Sequence, residues 1–332
     1  MFGAMRLLRF GGRRLLAAGL VLAVLGLTGG ATSAAEGKFR ALSTIGMLGD
    51  LVERIVGETA TAETLLGPGV DPHLYKLTRA DVRRLLAADI VFYNGLFLEG
   101  KMADAMERAA SAGRPVLAAA ETLPKSYLLA PAEFAGAFDP HVWMDVSGWA
   151  QVAEAVCASL SDFAPELAPL FAVNARQLDS ELERLDTYAR EVLSTVPAEK
   201  RVLVTAHDAF SYFGRAYGFE VIGIQGISTE SEAGLRRIQE IVDLLVARQI
   251  PAVFVETTVS DRNVRALIEG VAARGHEVVI GGSLYSDAMG EPGTYEGTYV
   301  GMIDHNVTTI ARALGGEVPE RGMNGELAVA RN

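Results

Sequence analysis

Residues 165–196 read PELAPLFAVNARQLDSELERLDTYAREVLSTV, from Pro165 to Val196, without a glycine. Apolar side chains return at Leu167, Leu170, Phe171, Ala175, Leu178, Leu182, Leu185, Ala189, Val192, Leu193 and Val196. That is the three-and-four spacing of one helical face, with Asp, Glu and Arg prominent elsewhere, and it predicts a single helix. Pro165 suits a first helical position, whereas Pro169 lacks an N–H that a second turn would use, so the start is defined only to about one turn. Such a helix would span roughly 40–50 Å, enough to run the length of two lobes instead of lying across one sheet.

On both sides of this stretch short apolar runs alternate with amphipathic ones. Before it, strands are predicted at Arg40–Ile45, Ala62–Leu66, Asp89–Tyr93 and Pro115–Ala119. Helices are predicted at Met47–Val56, Thr78–Ala88, Glu99–Ala112 and Ser147–Ser161, with Thr78 and Asp81 as a capping box. After it the plan repeats, with strands at Arg201–Thr205, Phe219–Ile224, Ala252–Glu256 and Glu277–Ile280. The helices there are Asp208–Tyr217, Ala233–Arg248, Asn263–Ala273 and Tyr299–Leu314. Strands separated by helices pair in parallel, because parallel neighbours need a crossover. The expected fold is α/β: two lobes, each a mostly parallel four-stranded sheet flanked by helices, bridged by one long helix. The boundaries are 36–164 for the first lobe, 165–196 for the bridge and 197–332 for the second.

The chain of 332 residues starts differently. Arg6, Arg9, Arg13 and Arg14 precede an apolar run from Leu15 to Leu27 and the small residues Gly29 to Ala35, the pattern of a cleaved secretory signal over 1–35. The run is short for a membrane span. Removing its four Arg takes the formal charge from −11 to −15. That suits a protein that meets cations and argues against a nucleic-acid or anionic-lipid partner. Cys157 is the sole cysteine, which excludes an internal disulfide, a cysteine zinc ribbon and a lipid-bearing cysteine at the cleavage point. On its predicted helix it reads as a buried structural thiol.

Chemistry concentrates in the loops. Asp71-Pro72-His73 follows the second predicted strand and Asp139-Pro140-His141 the fourth. Thr205-Ala206-His207-Asp208 and Tyr285-Ser286-Asp287 follow strands beyond the long helix. Each therefore sits past a carboxyl strand end, where open α/β sheets place ligands, and two such edges facing each other would form a cleft. Three imidazoles and a carboxylate complete a first coordination shell for Zn2+, and a carboxylate bound through both oxygens would suit Mn2+ better. Proline before each of the first two histidines stiffens the loop that presents it. Asp71, Asp139 and Asp208 are placed to orient imidazoles. Loop histidines are usually local hydrogen-bonders, and His276 and His305 are read that way.

Two other chemistries fit the chain less well. Gly95-Leu96-Phe97-Leu98-Glu99-Gly100-Lys101 has the spacing of a phosphate loop, but Met102 stands where Ser or Thr would bind magnesium and Glu99 fills the turn. A zinc hydrolase needs an open coordination position and a general base; His-Glu-x-x-His and Gly-x-Ser-x-Gly are both missing. No catalytic residue is assigned.

The motifs Gly69-Val70-Asp71-Pro72-His73, Asp139-Pro140-His141-Val142-Trp143, Thr205-Ala206-His207-Asp208-Ala209-Phe210, Gly226-Ile227-Ser228-Thr229-Glu230 and Tyr285-Ser286-Asp287 occur in this order around a long helix. Together they resemble the extracytoplasmic solute-binding receptors of ABC importers for zinc and manganese, over essentially the whole mature region. The resemblance implies two α/β lobes joined by a rigid helix, with one Zn2+ or Mn2+ held as cargo by His73, His141, His207 and Asp287. It also implies a periplasmic monomer that delivers its ion to a membrane permease. Many manganese receptors of this kind carry Glu at the third position, where this chain has His207. Many dedicated zinc receptors carry a His-rich loop before the second histidine, whereas Leu123–Phe138 has no His. A receptor for a metal chelate of siderophore or cobalamin type, which also has helix-bridged lobes, is the alternative.

Overall fold

In the first half four strands alternate with helices: Phe39–Ser43 (β1), Gly46–Val56 (α1), Ala60–Thr64 (β2), Arg79–Ala87 (α2), Ile90–Tyr93 (β3), Ala103–Ser111 (α3) and Val116–Ala118 (β4). All pairings are parallel, in the order β2-β1-β3-β4. This is a computed structural model that describes residues 38–134 and 136–328; the export signal over 1–35 lies outside the described residues. Residues from Lys38 onward form one compact unit. Thr78 caps α2 as expected: its hydroxyl accepts from the Asp81 N–H while the Asp81 carboxylate takes the Thr78 N–H.

Val146–Phe163 (α4) leads into the long helix, which runs from Ala168 to Ser194 (α5) after a single 3-10 turn at Pro165–Leu167. Pro169 falls in the first turn, where its missing N–H has no partner to lose. Phe171, Leu178, Leu182, Leu185, Ala189, Val192 and Leu193 form the buried face, packed on α1 and α4. Each large apolar side chain among them contributes about 1.5–3 kcal/mol of burial. Leu170 departs from the expected face and is 42% exposed.

The second half comprises Val202–Thr205 (β5), Ser211–Tyr217 (α6), Glu220–Gly223 (β6), Leu235–Arg248 (α7), Ala252–Glu256 (β7), Arg262–Ala272 (α8), Val279–Leu284 (β8) and Tyr299–Ala313 (α9). Its strands are again parallel, but the pairing is finer than one four-stranded sheet. The described residues give two ladders, β5-β6 and β7-β8, with β5 and β7 as neighbours. Helix α9 closes back onto α5, so the long helix touches both halves.

The glycine-rich turn Gly95–Lys101 is not a phosphate cradle. The buried Glu99 carboxylate accepts the N–H groups of Asn94 at 2.6 Å and Gly95 at 3.0 Å and the Thr44 hydroxyl at 2.7 Å, taking the donors a phosphate would need. Asn94 in turn donates to the Pro140 carbonyl at 3.0 Å, which fixes the loop carrying His141.

Candidate metal centre

Each of the four singled-out loop residues follows a strand of a parallel pair: His73 after β2, His141 after β4, His207 after β5 and Asp287 after β8. The two Asp-Pro-His segments fold alike, because an aspartate side chain readily accepts the N–H two residues on. Asp71 Oδ1 takes the His73 N–H at 2.8 Å and Asp139 Oδ1 takes the His141 N–H at 2.9 Å. Thr205 Oγ1 donates to the His207 carbonyl at 2.7 Å, turning the chain just beyond β5.

Buried and half-buried bonds then join the halves next to these loops. Trp143 Nε1 donates to the Ser286 carbonyl at 2.9 Å, and Tyr212 Oη to the Asp139 carbonyl at 3.0 Å. Thr229 Oγ1 donates to Asp71 Oδ2 at 2.6 Å, and Tyr299 Oη to the Trp143 carbonyl at 2.7 Å.

As a result the four side chains converge. One potential ligand atom from each lies within 4.8 Å of every other. Asp287 Oδ2 is 3.3 Å from His207 Nε2 and 3.6 Å from His73 Nε2, while Asp287 Oδ1 is 3.4 Å from His141 Nε2. His73 Nε2 and His141 Nε2 stand 3.3 Å apart. All four residues are buried, at most 3% exposed. His207 Nε2 and both Asp287 oxygens have no hydrogen-bond partner among the described residues. Buried polar atoms are almost always paired, so this converging set of unpaired donors fits a bound cation.

The electrostatics agree. Burial pushes the His73 imidazole down to about 3, with His141 and His207 adding to the push against the pull of Asp287. Burial alone would lower His207 too, but the Glu256 and Asp287 carboxylates override it and hold His207 well above its ordinary range. Burial would raise Asp287; the imidazoles, His207 foremost, instead hold it below the usual carboxylate range. Without an ion, then, a proton on His207 faces the Asp287 carboxylate.

Of the three aspartates expected to orient imidazoles, one does so. Asp139 Oδ1 lies 2.8 Å from His141 Nδ1. Asp71 takes the His73 backbone N–H and the Thr229 hydroxyl but does not meet the His73 ring, and Asp208 accepts the Ser211 hydroxyl at 2.8 Å. The residue the sequence reading missed is Glu256, at the end of β7. Its Oε2 lies 2.5 Å from His207 Nδ1 and its Oε1 accepts the His207 N–H at 2.8 Å. The signal was there: an acid closing the apolar run Ala-Val-Phe-Val, at the same strand edge as the ligands. His276 and His305 stay apart from the cluster, with Nε2 against the carbonyls of Ile250 and Ser283 respectively.

Residues 42–313 match the family model described as zinc-uptake complex component A, periplasmic. The chain is similar to the manganese-binding lipoprotein MntA of Bacillus subtilis strain 168, 45% identical over 306 residues, covering 91% of this chain and 99% of that one. It is 46% identical over 299 residues to the zinc-binding protein TroA of Treponema pallidum strain Nichols, covering 90% and 96%. The solved structure of the periplasmic zinc-binding TroA from Treponema pallidum superposes with a TM-score of 0.81 at 48% identity, covering 84% of this chain and 99% of that one.

Proposed function

Since the chain belongs to the family of periplasmic zinc-uptake complex component A, we propose that it is the metal receptor of an ABC importer, binding one Zn2+ or Mn2+ through His73, His141, His207 and Asp287. The lobes over 36–164 and 197–332, joined through 165–196, supply two ligands each. The protein works as an exported periplasmic monomer and hands the ion to a membrane permease. The observation that carries this reading is the convergence of four buried side chains, among which His207 Nε2 and both Asp287 oxygens have no hydrogen-bond partner among the described residues. Ligand atoms within 4.8 Å of one another admit a bare ion and not a chelate. Binding, not turnover, is the chemistry such a closed shell supports.

The geometry accommodates both ions. Asp287 turns both oxygens toward imidazoles, Oδ1 to His141 and Oδ2 to His73 and His207, so three nitrogens and two oxygens face the centre. Five donors suit manganese as well as zinc, while zinc is the tighter binder at a nitrogen-rich site. Titrating metal-stripped protein with Zn2+ or Mn2+ in a calorimeter tests the reading; one ion per chain is expected. Mass action then raises the melting temperature, by about 2.7 kcal/mol of stability at a free-ion concentration of about 100 times Kd. No saturable binding of either ion would refute it.

Proton linkage gives a second test. The ion displaces the proton that Glu256 and Asp287 hold on His207, so binding near neutral pH is expected to release about one proton per ion. Calorimetry in buffers of different ionisation enthalpy measures this, and affinity should keep rising with pH beyond the ordinary histidine range. Metal-free stability has contributions of both signs. His73 stays neutral in the fold but charges when unfolded, so its burial weakens the fold as pH falls from about 6.5 toward about 3. The His207 contribution is present at low pH and lost as pH rises through its raised value; that of Asp287 is lost only as pH falls through its depressed one.

A further inference from the structure

Helix α6 begins just beyond His207, and two of its side chains reach the segment of the other half that carries His141. Tyr212 and Arg215 stand three positions apart, on one face of the helix. The buried Tyr212 hydroxyl donates to the Asp139 carbonyl at 3.0 Å and accepts the Leu129 N–H at 3.0 Å. Since the Asp139 N–H donates to the Leu129 carbonyl at 2.9 Å, this hydroxyl closes the pairing of those two stretches of backbone. Arg215 reaches the far end of the same segment. One of its terminal nitrogens donates to Asp145 Oδ2 at 3.2 Å and the other to the Tyr127 carbonyl.

Asp145 is held from several sides. Its Oδ2 also accepts the Tyr127 hydroxyl at 2.6 Å, while its Oδ1 caps α4 by taking the Ser147 N–H at 3.1 Å and the Ser147 hydroxyl at 2.7 Å. The Arg215 guanidinium lies over the Tyr127 ring, 4.2 Å from its centroid, and 4.9 Å from that of Tyr212. A planar cation held by two rings, a carboxylate and a carbonyl has little freedom left. Gly148 in α4 makes room for the arrangement. A Cβ there would collide with the Tyr127 hydroxyl, and a glycine inside a helix is otherwise unfavourable.

His141 lies between the two anchors with little slack. Its carbonyl accepts the Met144 N–H at 3.2 Å, and the Val142 carbonyl accepts the Asp145 N–H at 3.2 Å, a single 3-10 turn from ligand to anchor. We infer that Arg215 is a positioning residue: by holding Asp145 while Tyr212 holds Asp139, it fixes the segment presenting His141 against the helix that follows His207, and so sets the spacing of the two imidazoles around the ion. Their ring centroids stand 5.3 Å apart. This rests on the metal-receptor reading above. A ligand pinned at both ends is already ordered when the ion arrives, which is where the gain in affinity arises.

Two readings on the full chain test the inference: Zn2+ affinity by competition with a chelator, and the visible absorption of Co2+ bound at saturation, which reports the geometry of the ligands. Arg215→Ala is expected to weaken Zn2+ binding by about tenfold, within the range carried by side chains that act through others, and to alter the Co2+ bands. Arg190→Ala is the matched control. Arg190 joins α5 to the end of α6 through Asp186 at 2.8 Å, the Ala216 carbonyl at 2.9 Å and the face of Tyr217, the same kinds of contact, but makes no hydrogen bond to the segment over 139–145 among the described residues. It should lower the melting temperature and leave both metal readings as they are. An unchanged Co2+ spectrum with Zn2+ affinity within about twofold in Arg215→Ala, or equal losses in the two arginine variants, would reduce Arg215 to a structural tie and overturn the inference. If Arg215→Ala does not fold, Tyr127→Phe decides by the same readings, because it removes only the hydroxyl on Asp145. A loss of about threefold with altered Co2+ bands is expected there, and no change in either would overturn the inference. An unaltered chain that takes up no Zn2+ would sink the receptor reading itself, whereas normal uptake with Arg215→Ala indistinguishable from it would sink only the positioning role.

Discussion

Replacing His207 or His141 by alanine is expected to weaken Zn2+ or Mn2+ binding by more than about a hundredfold, since the loss of a supporting contact to a ligand already costs about 10–100-fold. Each change deletes one of three nitrogens and strands a buried acid. His207→Ala leaves Glu256 Oε2 without the imidazole it meets at 2.5 Å, and His141→Ala does the same to Asp139 Oδ1 at 2.8 Å. The remaining donors cannot close around the gap, because their loops are tied by Trp143 to Ser286 and by Tyr212 to Asp139. His276→Ala is the matched control: that imidazole contacts the Ile250 carbonyl, outside the cluster. Competition titration against a chelator of known affinity measures all three. Equal losses in His207→Ala and His276→Ala would refute the assignment.

Glu256→Gln should lower affinity by about 10–100-fold without removing any ligand. The carboxylate meets His207 twice, at the ring Nδ1 and at the backbone N–H, and so turns Nε2 toward Asp287. Glutamine keeps the shape but loses the charge that makes the imidazole a stronger donor. The same charge is a main cause of the raised protonation of His207, so the variant should also release fewer protons on binding the ion. A purely structural role for Glu256 would lower the melting temperature and leave proton release unchanged, which buffer-dependent calorimetry separates.

Strand and helix positions were legible because burial imposes period on sequence, and α5 is the clearest case. Where glycine replaced side chains that period vanished. The last strand was expected to end at Ile280, yet β8 continues to Leu284 through Gly281-Gly282. A Cβ on Gly281 would come within 2.7 Å of Ala313, so glycine there records how closely α9 covers the sheet, and not a turn. Likewise β5 and β7 lie side by side without forming one ladder, a matter of strand geometry that composition does not encode.

The four candidate ligands were legible for a different reason: strand-end loops of an α/β fold gather on one edge, and few other residues in those loops bind metals. What surrounds them was less so. Neighbourhood in sequence pointed to Asp71 and Asp208 as partners of imidazoles, but a two-residue turn aims Asp71 at backbone, and Asp208 bonds Ser211 at the start of α6. Glu256 stands 49 positions from His207 along the chain. Only the placement of β7 beside β5 brings it close.

Helix α5 has 27 residues and packs against α1, α4 and α9 along its length. Flexing it would break several backbone hydrogen bonds at once, so laden and empty protein are expected to share nearly the same silhouette. A membrane importer served by the proposed receptor would then be unable to sort the two by outline. On the proposed reading, the sign that cargo is aboard would be written in the handful of loop atoms bordering His73 and Asp287.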